Sequence, residues 1–143
     1  MSAKEKLSAT VFESITDMIR AYADEAIRTA WTDHRKRLYL PESSAERSIE
    51  ILDSILNDQA AEDLEFQTRL WGSYFGEVLR QRFGGEWELT QYPGGIAAVP
   101  TLMVDGSRLY PLMKVFRRLT VGEAENLPAF YKMVSARLGN PRS

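Results

Sequence analysis

Gly84-Gly85-Glu86-Trp87-Glu88-Leu89-Thr90-Gln91, followed by Tyr92-Pro93-Gly94-Gly95 and the run Ile96 to Val104, is where the chain changes period. Before this stretch, apolar residues recur every three or four positions. Within it, Trp87, Leu89 and Gln91 alternate with Glu86, Glu88 and Thr90, the pattern of a strand with one covered face. Pro93-Gly94-Gly95 reads as a turn, and Asp105-Gly106 as a tight hairpin into Ser107–Tyr110. Three short runs joined by short turns predict a three-stranded antiparallel meander. Pro100 has no amide hydrogen to give a ladder, so its place in the second run implies an edge position or a bulge.

Upstream, the spacing predicts three helices. Thr10 and Glu13 have capping-box spacing, and an apolar stripe from Val11 through Ile15, Ile19, Tyr22, Ala26 and Trp31 extends that helix to about Lys36. His34-Arg35-Lys36-Arg37 places cations at its negative end, with His34 exposed, and Pro41 marks a break. Ser43 and Glu46 repeat the capping box for a second helix ending near Asn57 or Asp58. A third starts between Ala60 and Leu64, presents Trp71, Tyr74, Phe75, Val78, Leu79 and Phe83, and stops at Gly84-Gly85.

Downstream, Pro111 suits a first helical turn, and Leu112, Val115, Phe116 and Leu119 give a short helix. Asn126 caps a last one that buries Phe130, Tyr131, Val134 and Leu138 before Gly139. The expected fold is α+β: three N-terminal helices, a three-stranded antiparallel meander and two C-terminal helices. The 143 residues suit one domain over 1–143, with 1–8 and 140–143 as flexible ends.

Composition narrows the chemistry. With no cysteine and one histidine, thiolate zinc sites, disulfides and cysteine nucleophiles are excluded. Carboxylates remain as metal ligands, but no calcium-loop spacing occurs, so neither metal nor cofactor is expected. No nucleophile-elbow pattern and no phosphate-loop glycine cluster is present, and no catalytic residue is assigned. Met1 to Lys6 lacks an apolar run and no stretch has membrane-spanning length, so a cytoplasmic, non-membrane setting is expected.

The net charge of −2 is uneven. Residues 1–71 hold 9 Lys/Arg against 14 Asp/Glu, and residues 72–143 hold 9 against 6. Eight carboxylates fall between Glu42 and Glu65 with Arg47 as the one cation, which reads as a solvated helix face or as a surface that steers a basic partner. Overall acidity (pI about 5.5) argues against a nucleic-acid ligand.

Two clusters stand out as candidates for binding. Gly72 and Gly76 notch the third helix; each costs it about 0.8–1 kcal/mol relative to alanine, which implies close approach of a neighbouring helix or the sheet. Glu77 follows beside Tyr74, with Arg80 within reach of the same face. It reads either as an acid poised for proton transfer or as an ion pair or hydrogen bond that ties the helix to the meander. The second cluster is Lys114, Arg117 and Arg118, with Lys114 and Arg118 sharing a face at i, i+4 and Arg117 to one side. The candidate ligand-binding residues are Tyr74, Glu77, Arg80, Trp87, Lys114 and Arg118.

Gly76-Glu77-Val78-Leu79-Arg80, Gly84-Gly85-Glu86-Trp87, Pro111 to Leu119 and Gly122-Glu123 resemble a bacterial family of unknown function over about residues 71–131. The resemblance implies a bacterial, cytoplasmic protein and carries no activity or catalytic residue with it. The expected role is a non-enzymatic protein-binding domain of accessory or immunity type, with Trp and Tyr as interface anchors. The alternative is an enzyme or small-ligand binder with a pocket between the third helix and the meander, lined by Tyr74, Glu77, Trp87 and Lys114. A homo-oligomer joined through an edge strand is a third reading.

Overall fold

A computed structural model describes residues 1–40, 44–58 and 62–139. Among these residues, six α-helices and one sheet follow in the order α1 (Ala3–Ala9), α2 (Ile15–His34), α3 (Ala45–Asn57), α4 (Leu64–Phe83), β1 (Glu86–Gln91), β2 (Ala98–Val104), β3 (Ser107–Leu109), α5 (Pro111–Val121) and α6 (Leu127–Leu138). The fold is α+β, with four helices before the sheet where three are expected.

The additional helix comes from a missed cap. Ser2 and Glu5 close the capping box that starts α1, so residues 3–8, read as part of a flexible end, lie in a helix. Thr10 belongs to the end of that helix, its hydroxyl donating to the Lys6 carbonyl at 2.6 Å. The next helix therefore begins later. Ser14 accepts from the Asp17 amide at 3.1 Å and caps α2, so the Thr10–Glu13 box does not form. At α3 the cap is Ser44, which accepts from the Arg47 amide. Ser43, Pro41, Ala60 and the expected flexible end at 140–143 lie outside the described residues.

Helix α4 organises the molecule. Leu70 through Leu79 are all buried, so this helix is enclosed on every side, by α2, α3, α5 and the sheet. Fully burying an aliphatic or aromatic side chain contributes roughly 1.5–3 kcal/mol, and Trp71, Tyr74, Phe75 and Leu79 are completely enclosed. The two glycines make the enclosure possible. A Cβ on Gly72 would stand 2.7 Å from the Leu112 Cα of α5, and one on Gly76 would collide with the Trp87 ring of β1. Gly72 thus admits a helix, and Gly76 admits the sheet.

The sheet is an antiparallel meander in the order β1-β2-β3. Trp87 pairs with Leu102 and Leu89 with Pro100, while β3 reaches only Leu102 to Val104. Pro100 is therefore in the central strand, in the part that has a neighbour on one side only. Asp105 and Gly106 both take positive φ, which suits a tight two-residue hairpin. The alternation of β1 is covered at one end alone: Trp87 is buried and Leu89 is 58% exposed. On α5 the expected apolar Phe116 is exposed, and Arg118 occupies an inward position instead. His34 is half-buried, with its ring edge-on to Trp71 at 6.0 Å. No described helix is long and apolar enough to cross a membrane.

Candidate functional site

The six residues singled out by sequence go to four places. Glu77, Arg80 and Trp87 meet. Arg80 donates from Nε to Oε2 of Glu77 at 2.8 Å and from a terminal nitrogen to Oε1 at 3.2 Å, a forked geometry that arginine is built to supply. The Trp87 indole N–H reaches the same Oε2 at 2.8 Å. The Glu77 side chain is 5% exposed. Its bonds to Arg80 hold that guanidinium above its ordinary pKa, against the opposing effect of burial. Both carboxylate oxygens are engaged and the indole is seated on Gly76; beside this group lies a cavity of about 390 Å³ lined by Thr16, Arg20, Arg80, Gly85, Glu86 and Trp87. The acid ties helix to strand.

Tyr74 stands apart from this group, its hydroxyl bonded to the Tyr39 carbonyl at 3.1 Å. Arg118 turns the other way, to α3. It is 3% exposed and donates to Asp53 at 2.9 Å, Asn57 at 3.1 Å and Glu123 at 3.0 Å. Asp53 in turn accepts from the Leu127 amide at the start of α6 at 2.9 Å. A carboxylate at that helix end is favourable, since the first amides have no partner within the helix. Arg118 thus joins α3, α5 and the approach to α6. Lys114 and Arg118 share a face of α5 and both reach carboxylates of the segment Glu123–Glu125, but Arg118 is drawn into the interior while Lys114 works with Arg117 on Glu125.

Lys114 opens onto a cleft of about 480 Å³ between β3, α5 and α6. Among the described residues, four cations line it, Arg108, Lys114, Arg117 and Arg137, against one carboxylate, Glu125. That carboxylate lies in a short 3-10 turn, Glu123–Glu125. Lys114 and Arg117 both reach its Oε1 at 2.9 Å. Hydrogen bonds from Arg117 first and Lys114 second lower its pKa to about 2, and the same contact raises that of Arg117. Arg108 and Arg137 form no ion pair among the described residues.

The rest of the cleft is apolar. Met113, Phe130, Met133 and Leu138 line it, and Tyr92 stands edge-on to Tyr110 at 4.9 Å. The Lys114 ammonium also lies 5.4 Å from the Phe130 ring centre, within cation–π range. Methionine side chains adapt to irregular surfaces. An apolar bed rimmed by cations suits a ligand that carries both carboxylates and hydrophobic groups.

Sequence reasoning located Lys114 and Arg117 here but passed over Arg108, Glu125 and Arg137. The available signal was weak: Glu125 is eight residues beyond Arg117, and Arg137 is on another helix. Among the described residues, no group of three or more His, Asp or Glu is placed to hold a metal ion. Of the aromatics considered as interface anchors, Trp71, Tyr74 and Trp87 are core residues, whereas Trp31 is 40% exposed. Comparison with protein-family models, curated proteins and solved structures gives no match.

Proposed function

We propose that this protein is a non-enzymatic binding domain of accessory or immunity type, and that the β3–α5–α6 cleft receives an acidic, partly hydrophobic segment of a partner protein. One observation carries the reading. Glu125 already sits in the cleft as a carboxylate held by an ammonium and a guanidinium, which defines the group the cleft accepts. Arg108 and Arg137 are left to engage further carboxylates, and the methionine and aromatic bed accommodates the hydrophobic side chains between them. Such rim charges act mainly on association rate and partner choice.

A small-molecule site built on Glu77 is disfavoured because Arg80 and Trp87 already take both of its carboxylate oxygens. Strand-to-strand self-association is opposed by Glu86 and Glu88 on the exposed edge strand β1, since charge on an edge discourages pairing.

The test is selection of peptides against the full chain from a random display library. Enrichment of Asp- or Glu-containing peptides with Leu, Phe or Trp is expected. Arg108→Glu with Arg137→Glu should abolish their binding in fluorescence anisotropy. Peptides without an acidic bias, or binding that survives both charge reversals, would overturn the proposal.

A further inference from the structure

We infer that the surface where α2 ends against α3 is a separate binding site for a nucleotide unit, a phosphate that carries a planar base. Helix α2 stops at Arg35, whose positive φ of 56° turns the chain off the helix axis and carries Lys36 and Arg37 toward α3. There they meet Arg47. Among the described residues, a cavity of about 510 Å³ is lined by Lys36, Arg37, Tyr39, Arg47, Ile51 and Ser54, and none of these is a carboxylate.

The local chemistry is cationic and aromatic together. Arg35, Lys36, Arg37 and Arg47 form no ion pair among the described residues. Lys36 donates to the Ser54 hydroxyl at 2.7 Å, which holds its ammonium at the wall. The Arg37 guanidinium lies 4.2 Å from the Trp31 ring centre, with Arg35 at 5.6 Å. Trp31 and Tyr39 are 40% and 54% exposed. Cations that follow the end of α2 at His34 complement its dipole, but that accounts neither for Arg47 on another helix nor for the exposure of Tyr39 in the cavity wall and of Trp31 beside Arg37.

Helix α3 also divides its charge by face. Arg47, Ile51 and Ser54 look into this cavity, while Glu46, Glu50 and Asp53 line the groove toward α6. The net charge of −2 is therefore a sum over regions of opposite sign. Guanidinium and ammonium groups recognise phosphate oxygens, and exposed Trp and Tyr rings stack on bases without regard to sequence. The cavity volume falls in the usual range for small-ligand sites. A free nucleotide and a short single strand present the same chemistry here.

Trp31 supplies the readout, because Trp71 and Trp87 are buried. Intrinsic fluorescence of the full chain is titrated with ATP and with an oligothymidylate, corrected for absorbance, and pyrophosphate is used as a competitor. Saturable quenching by ATP assigns a free nucleotide. Quenching by the oligonucleotide alone assigns a single strand, and its affinity should then fall with salt at a log–log slope of about −2 for three phosphate contacts. Arg37→Ala with Arg47→Ala, both exposed positions, should weaken either ligand at least ten-fold. Lys114→Ala with Arg117→Ala, in the other cleft, should leave binding unchanged. The inference is overturned if neither ligand quenches saturably, if the Arg37 and Arg47 substitutions have no effect, or if pyrophosphate binds as tightly as ATP.

Discussion

Trp87 donates its indole N–H to Oε2 of Glu77 at 2.8 Å, across the buried join between β1 and α4. The same carboxylate is forked by Arg80, one turn further along α4. A charged group is thereby kept in the interior with all its partners supplied by two elements that are adjacent in sequence. Glu77→Ala should remove the ion pair and strand the indole N–H, lowering unfolding stability by about 2–3 kcal/mol. Glu77→Gln keeps an acceptor for Trp87 and should cost less. Urea denaturation of both variants gives the order; a Gln variant worse than Ala would contradict the bridging role.

The glycine notch makes the opposite prediction to helix propensity. Alanine at position 76 gains about 0.8–1 kcal/mol of intrinsic helix preference. Its methyl, however, collides with a Trp87 ring that is fixed on its other side by Glu77. Overpacking should prevail, with a net loss of about 1–2 kcal/mol. Gly72→Ala meets the Leu112 backbone at 2.7 Å as well as its side chain at 2.8 Å, and backbone yields less readily than a side chain, so its loss should be at least as large. Thermal melts of the two variants test this directly.

Arg118 is the long-range tie. Its acceptors Asp53 and Asn57 lie 65 and 61 residues back in the sequence. Arg118→Ala leaves a mostly buried Asp53 carboxylate without its cation and should destabilise the fold by about 3 kcal/mol. Lysine should rescue little, because one ammonium cannot replace a fork that spans three acceptors. Chemical denaturation of both variants measures the difference.

Glu125 carries a pH dependence. Its pKa is depressed from 4.5 to about 2 by Arg117 and Lys114. A carboxylate with a lowered folded-state pKa stabilises the fold fully above its unfolded value, and that stabilisation is lost as pH falls through the folded one. This contribution should therefore be constant from neutral pH to about 4.5 and vanish between 4.5 and about 2. The Glu125 carboxyl carbon, followed by NMR, should titrate near 2 in the parent chain and move toward 4.5 in a Lys114→Ala, Arg117→Ala variant.

The helix stop at Gly84, the hairpin at Asp105-Gly106 and the Asn126 cap were all legible, because each rests on residues within a few positions of one another. The start of α2 was misplaced because Thr10–Glu13 and Ser14–Asp17 offer the same cap spacing, and nothing local ranks them. The candidate cleft was legible in half. Lys114 and Arg117 announce cations, but that Arg108 and Arg137 arrive from β3 and α6 depends on how three elements close together.

The α+β class, the order and type of the elements from α2 onward, and the need for something to approach Gly72 and Gly76 were determined by sequence alone, since periodicity and missing side chains are properties of the chain itself; α1 was read as a flexible end. Tertiary structure decided what approaches: Leu112 at one notch and Trp87 at the other. It also decided that Arg118 turns inward while Lys114 faces a cleft, although the two are one helical turn apart. The physical reason is that a long cation follows the nearest desolvated acceptor, and Asp53 comes within reach only once α3 packs beside α5.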